Sequence, residues 1–297
     1  MTDHGHCEMC PRMCGADRRH GRGFCGCGAE AVVAKVMLHM WEEPVISGTR
    51  GSGAIFFSGC NLRCSYCQNR DISRAETGRR MSAEELADVM LDLQARGAHN
   101  VDLITATPRL PETLEALELA RSRGLTVPVV YNTSGYERPE AIDLLAPYVN
   151  VWLPDFKYAS SSPAAKYSSA PDYPEVAMLA IDRMTELAGP PVVENGLMRS
   201  GVIVRHLMLP GYRHDTEAAL HIFAERWKGR ALLSLMRQYT PEFADPDCDL
   251  KRRVTSFEYS SALRLAERLG LEGFFQDAAS ATDAYTPDFS AGTEKDG

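Results

Sequence analysis

Cys60, Cys64 and Cys67 stand in the stretch GCNLRCSYCQNRD, directly after the apolar run AIFFS. Three thiolates are one too few to close a tetrahedral metal site, so either a distant residue completes the set or a coordination position is left open. Iron-sulfur clusters are usually held by four Cys thiolates, and a compact trio predicts a cluster with one iron free to bind something else. An open iron is a reaction site. The alternative is a zinc site with a borrowed fourth ligand, although zinc sites favour paired short spacings and C-x3-C-x2-C is a three-point loop.

Five more thiols, Cys7, Cys10, Cys14, Cys25 and Cys27, lie in CEMCPRMCGADRRHGRGFCGCG. Cys7, Cys10, Cys14 and Cys25 have the spacing of a second metal site, either zinc or another cluster, with Cys27 as the spare. His4, His6 and His20 are nearby and expected to be solvated. Only Cys248 stands apart from these groups, as a free thiol. The opening MTDHGHCEMCPRMC lacks the apolar core of a signal peptide, and no apolar run is long enough for a membrane helix. These features predict a cytoplasmic protein, where reducing conditions favour metal ligation over disulfides.

The elements that must position these residues come in alternation. With 44% hydrophobic and 24% charged residues, the 297-residue chain has the make-up of a soluble globular protein. It divides into a Cys-rich head (1–30), a connector (31–53) containing EEPVISGTRGSG, an alternating body (54–277) and a polar tail (278–297), in which Tyr285 and Phe289 could be pinned. In the body, apolar runs alternate with amphipathic stretches, beginning with AIFFSG and SAEELADVMLDLQARGA, where Ser82 and Glu85 have capping-box spacing and Gly97 marks the end. The series continues through NVDLITAT, TVPVVYNT, VNVWLPDF, GVIVRHLML and ALLSLMRQY, each followed by a helical pattern. Six such units mean a parallel sheet covered by helices, either doubly wound or a partial barrel. In both, ligands sit at the carboxyl ends of the strands.

Polar residues collect at those ends: Thr105 and Thr107, Asn132 and Thr133, Asp155 and Lys157, Arg205 and His206, Gln238 and Tyr239. Asp155 and Lys157 are two apart and share a face of an extended segment, as a site pair or a solvated ion pair. Arg205 offers forked donors suited to a carboxylate, with an internal ion pair as the alternative. His206 should point the other way and be structural. The net charge of −8 and the scatter of Lys and Arg argue against nucleic-acid binding.

CNLRCSYCQNRD, with Tyr66 before the last Cys, resembles the cluster loop of the radical S-adenosylmethionine (SAM) enzymes, and is closest to activating enzymes of glycyl-radical proteins. EEPVISG, GSGAIFFSGCNLRCSYCQN, VYNTSGYE, LPDFKY and RHLMLPG extend the likeness to a PflX-like branch of the pyruvate formate-lyase activating enzyme homologues. The resemblance implies a partial (β/α)6 TIM-like barrel. It implies a [4Fe-4S] cluster on Cys60, Cys64 and Cys67, with SAM chelating the fourth iron and yielding a 5′-deoxyadenosyl radical on reduction. Tyr66 would lie near the adenine, with Asn69 assisting. Where these relatives have a Gly-Gly-Glu-type turn, this sequence reads TATP, so Thr105 and Thr107 are the candidate substitutes. Asn132, Thr133 and Asp155 match the relatives' small-cation or SAM-edge site, with Asn in place of an Asp.

The implied function is reductive SAM cleavage for hydrogen abstraction from the glycine of a partner protein, driven by a flavodoxin- or ferredoxin-type electron donor. A small molecule, peptide or RNA is the alternative substrate. A noncatalytic iron-sulfur scaffold is the alternative of another class, supported by TATP, and an electron-transfer protein is a third.

Overall fold

The computed structural model describes residues 4–74, 77–276 and 289. Its strands are β1 (Ala31–His39), β2 (Ser52–Phe57), β3 (Arg79–Met81), β4 (Val101–Ile104), β5 (Val129–Thr133), β6 (Val151–Pro154), β7 (Val192–Glu194), β8 (Leu197–Leu207), β9 (Leu232–Met236) and β10 (Gly273–Phe275). They form one sheet in the order β10-β9-β8-β6-β5-β4-β2-β1-β3, with β7 folded back on β8. From β2 to β10 the neighbours along this path pair in parallel and the order never reverses. A doubly wound sheet reverses at a switch point, so that alternative is excluded. Uniform crossovers put the helices on one face and let the sheet curl, while β3 and β10 remain unjoined edges.

Local chemistry explains the alternation. β4, β5 and β6 are buried at every residue, as strands of a covered parallel sheet must be. The helix Ala83–Ala95 begins at Ser82 with both halves of a capping box, and Gly97 follows it in the left-handed region at φ 88°. Its buried stripe, Leu86, Met90 and Leu93, has the spacing that faces one side of a helix. The helix Ser256–Leu269 has a second capping box, Thr255 with Glu258, and stops at Gly270, φ 62°.

The stretch 31–53 is more than a connector. Its first nine residues are β1, which pairs antiparallel with β2 from Val33 opposite Phe57 to His39 opposite Ser52. This return carries residues 39–43 to the amino end of the sheet, beneath the strand ends where the thiol loop sits. β3 extends the sheet beyond β1, and the helix Ser161–Ser168 fills the link after β6; both lie outside the expected strand-helix units. The tail lies outside the described residues except Phe289, whose ring meets Phe56 edge-on at 5.4 Å. Tyr285 lies outside them as well. No helix among the described residues is long and apolar enough to cross a membrane.

Candidate functional site

The thiol loop leaves β2 through Gly59, whose φ is 91°. A Cβ built there would lie 2.1 Å from Cys27 Sγ and 3.0 Å from Cys25 O, so only glycine lets the head lie against the loop. The loop is fastened to several elements. Asn61 Nδ2 donates to Tyr136 O at 2.8 Å, Ser65 N–H donates to Tyr167 O at 2.8 Å, and Asp245 N–H donates to Ser65 O at 2.7 Å. Cys64 is buried and accepts from Ser168 Oγ at 2.9 Å; Cys60 and Cys67 are half-buried. Burial pushes the Cys64 thiol up and the Cys67 thiol to about 12, so metal loading must displace protons.

All three thiols line one cleft, together with side chains from the ends of β4, β5, β6, β8 and β9, including Thr105, Thr133, Asp155, Leu207 and Met236. Convergence of successive strand ends on one cleft requires the sheet to curl around it. Asn69 lines this cleft, and its buried Oδ1 has no hydrogen-bond partner within the protein. Tyr66 also lines it, and its ring is packed edge-on among Tyr158, Tyr167 and Tyr239.

Below the thiols runs a continuous charged network. Arg205 reaches Asp155 Oδ1 through Nε at 2.9 Å, Asn132 Oδ1 through Nη2 at 2.5 Å, and Glu42 Oε2 through Nη1 at 3.2 Å. Lys157 Nζ donates to Asp155 Oδ2 at 2.5 Å. Burial would raise the Asp155 carboxyl, but Arg205 and Lys157 outweigh it and hold it below the usual range. Burial would lower Lys157, but Asp155 and the Cys64 thiol raise it, so it is a fixed cation facing the loop. The Arg205 guanidinium bridges Asn132 and Asp155, two of the three residues expected with Thr133 at a small-cation or SAM-edge site, and supplies positive charge between them.

The expected residues therefore divide. Tyr66, Asn69, Thr105, Asn132, Thr133, Asp155, Lys157 and Arg205 line the cleft with the three thiols. Thr107 does not: it is buried in the short 3-10 turn after β4, donates its hydroxyl to Glu137, and accepts from Tyr131 OH at 3.3 Å. Asp155 and Lys157 are half-buried, 17% and 18% exposed, and lie inside the cleft, so they are not a surface ion pair. His206 faces away as expected, with Nδ1 2.7 Å from Phe156 O and Nε2 3.0 Å from Thr216 Oγ1. Cys248 is buried, 3.7 Å from Ser65 Oγ.

His39 and Glu42 line the cleft, and Glu43 and Asp102 lie in the same network, though none of the four was among the expected site residues. The first three arrive on the return from β1, and Asp102 lies within β4. Burial, with the nearby Glu42 carboxylate, pushes Asp102 far up, and Arg205 and the Asn132 side chain only partly oppose this. Glu42 and Glu43 are raised by burial too. The signal available was EEPVISG, two adjacent acids at a proline that starts a short helix, Pro44–Ser47.

No three His, Cys, Asp or Glu side chains already converge as a metal cage among the described residues. The loop nonetheless fits an iron-sulfur cluster by its donors: three thiols on one anchored turn, beside a fixed cation and an open cleft. The unpartnered Asn69 Oδ1 and the strand-end Thr105 suit a polar ligand alongside.

A family model described as the Radical SAM superfamily matches residues 54–221. An uncharacterized protein of Methanocaldococcus jannaschii is 28% identical over 277 residues, covering 90% of this chain and 76% of that one. Pyruvate formate-lyase-activating enzyme of Clostridium pasteurianum is 34% identical over 87 residues, 28% of this chain and 36% of that one. Among solved structures, QueE from Escherichia coli superimposes with a TM-score of 0.45 at 12% identity, over 82% of this chain and 92% of that one. A domain of pyruvate-formate lyase-activating enzyme from Bacteroides vulgatus gives 0.41 at 12% identity, over 57% of this chain and 92% of that one.

Proposed function

The chain belongs to the radical SAM superfamily, and on that footing we propose that it cleaves SAM reductively and abstracts hydrogen from a glycine of a partner protein. The observation that carries this reading is the meeting of Cys60, Cys64 and Cys67 with a polar ring from successive strand ends in one open cleft. Cys60, Cys64 and Cys67 would hold the cluster, which would supply the electron for reductive cleavage of SAM into methionine and a hydrogen-abstracting 5′-deoxyadenosyl group. Lys157 holds positive charge beside the thiolates. Asn69 and Thr105 offer oxygens to the amino group of SAM, in the place where a Gly-Gly-Glu-type turn is lacking. Arg205 is positioned by Asp155 and Glu42 and orients the floor rather than titrating.

The glycine substrate and the PflX-like placement rest on the resemblance of CNLRCSYCQNRD and EEPVISG, and on the unjoined sheet edges, which leave a side through which a peptide loop could enter. A small-molecule substrate is favoured by one observation: the cleft reaches past the thiol loop to His39 and Glu42, leaving a polar floor beneath the SAM-binding region. For the electron donor, a flavodoxin- or ferredoxin-type protein with an acidic surface fits a second cleft on the head. That cleft is lined by Arg18, Arg19, His20, Arg22 and Arg80, with Glu30 its one acidic residue, in a chain of net charge −8.

The test is anaerobic reconstitution followed by dithionite and SAM. Methionine and 5′-deoxyadenosine should form, and formation in the Cys60, Cys64 and Cys67 triple Ala variant would sink the reading. With a glycyl-radical partner present, a carbon-centred doublet should appear by electron paramagnetic resonance. Deuterium moving from a labelled small molecule into 5′-deoxyadenosine, with no partner radical, would replace glycine by the small-molecule reading.

A further inference from the structure

The head's thiols lie outside the cleft and take no part in the chemistry proposed there. Cys7, Cys25 and Cys27 are buried, Cys10 is half-buried and Cys14 is exposed. The first segment closes on itself: Cys7 N–H donates to Ala16 O at 3.1 Å and Gly15 N–H returns to Cys7 O at 3.0 Å. Between them, Met13 and Gly15 take left-handed φ values of 40° and 62°, a turn that gathers Cys7, Cys10 and Cys14. The second segment adds Cys25. A Cβ built on Gly23 would lie 3.2 Å from Cys14 Sγ and 3.6 Å from Cys25 Sγ, so these two sulfurs face the same small space. Cys10 in turn is near enough to Cys7 and Cys25 to feel the charge of both, although the four sulfurs do not yet converge as a cage.

Charge provides a second, independent observation. Arg18 is 2% exposed, yet its hydrogen bonds go to neutral acceptors: Gly28 O at 2.9 and 2.6 Å and Met9 Sδ at 3.0 Å. Its field acts on Cys7, Cys25 and Cys27, and on Glu112 more weakly. Glu112 already has His4 at 3.2 Å. Arg109, also buried, donates to Gly28 O at 2.9 Å and acts on Cys25 and Cys27. Four thiolates on a divalent ion, or on a [4Fe-4S] core of charge two plus, carry a net charge of about minus two, which the buried Arg18 guanidinium beside them would complement.

We propose that Cys7, Cys10, Cys14 and Cys25 hold a second metal centre of tetrathiolate type, with Arg18 as its buried counter-charge. Cys27, 3.5 Å from Ser58 O and packed against Gly59, is the joint between this centre and the thiol loop rather than a ligand. Cys60 N–H donates to Cys25 O at 3.3 Å, so the backbone of one ligand segment is bonded to the other. His6 and His20 are largely exposed, 68% and 82%, and stand outside the ligand set.

The test uses the full chain with Cys60, Cys64 and Cys67 replaced by Ala, so its outcome does not depend on the SAM chemistry. Purified anaerobically, this protein should retain metal in stoichiometric amount. Zinc without acid-labile sulfide identifies a single ion, and iron with sulfide identifies a cluster. Metal-free protein overturns the proposal. Adding Cys14→Ser, at an exposed position that cannot collapse the core, should lower retention against a chelator, and unchanged retention would remove Cys14 from the set. Arg18→Gln should weaken retention about tenfold or more, as loss of an outer-sphere partner does, with Arg18→Lys restoring part of it. Equal retention in all three Arg18 forms would overturn the counter-charge role. In metal-stripped protein, Co2+ should give intense thiolate-to-metal absorption that disappears in the Cys25→Ser variant; absorption that persists would place the ion elsewhere.

Discussion

Asp155 accepts from two half-buried cations, and this decides which substitution is informative. Replacing it with Ala would strand Lys157 and strip Arg205 of one of its two carboxylates. Asp155→Asn keeps the shape and one acceptor oxygen. We expect this variant to melt at lower temperature, to retain its iron, and to need roughly tenfold more SAM for half-maximal cleavage, equivalent to about 1.4 kcal/mol. Unchanged SAM dependence with a lowered melting temperature would reduce Asp155 to a structural role. The residue scale is also where sequence reading was most uneven. Cysteine spacing is local chemistry, so Cys60, Cys64 and Cys67 could be found from the string alone. Asp155, Lys157 and Arg205 could be found because parallel strands deliver their ends to one place. His39 and Glu42 could not, since they reach the cleft only through the antiparallel return of β1.

Two elements carry predictions of their own. The turn at Gly59 joins head to loop, and a methyl there would overlap Cys27 Sγ at 2.1 Å, in a fully buried position where neither backbone has room to withdraw. Gly59→Ala should fold, because the strands and helices are untouched, but should lose iron from the loop; full iron occupancy by elemental analysis would show that the head does not constrain the loop. At the other end of the chain, Glu258 anchors the helix Ser256–Leu269 by accepting from Arg252 at 2.7 and 2.8 Å, Thr255 N–H at 2.8 Å and Gly211 N–H at 2.8 Å. Arg252 first, then the two backbone donors, hold its carboxyl well below the usual glutamate range. A folded value below the unfolded one means that the unfolded chain binds more protons as pH drops, so this stabilisation is complete above the ordinary glutamate range and is lost progressively as pH falls from there through the depressed folded value. Glu258→Gln should cost about 2 kcal/mol near neutrality and flatten the acid side of the melting curve, as followed by circular dichroism. An acid slope equal to that of the parent would refute the assignment. The long elements were legible because capping boxes and apolar stripes repeat within one segment. β3 and β10, three residues each, are too short to show a period, and Ser161–Ser168 is small and polar, with its buried side formed by tertiary contact.

At the scale of the whole molecule, the separation of charge is the feature that composition hides. A net charge of −8 spread evenly would repel an acidic electron donor, and the total was read as evidence against polyanion binding. The head departs from that average. Its cleft gathers Arg19, His20, Arg22 and Arg80 over the buried Arg18, with Arg19 3.2 Å from Asp17 and Arg80 paired with Glu30. The same segment supplies Cys25, whose carbonyl accepts from Cys60 N–H, so a donor docked on this face would approach the loop from behind, away from the cleft that SAM would fill. Exposed charges act mainly on encounter, through a field that salt screens over about 8 Å at physiological ionic strength. Arg19→Glu with Arg22→Glu should therefore slow SAM cleavage driven by reduced flavodoxin roughly tenfold at low salt, and the deficit should shrink as salt is added. Cleavage driven by dithionite, which needs no docked protein, should be unchanged. Equal losses with both reductants would mean that the substitutions disturb the loop itself, and no loss with either would move the donor to another face.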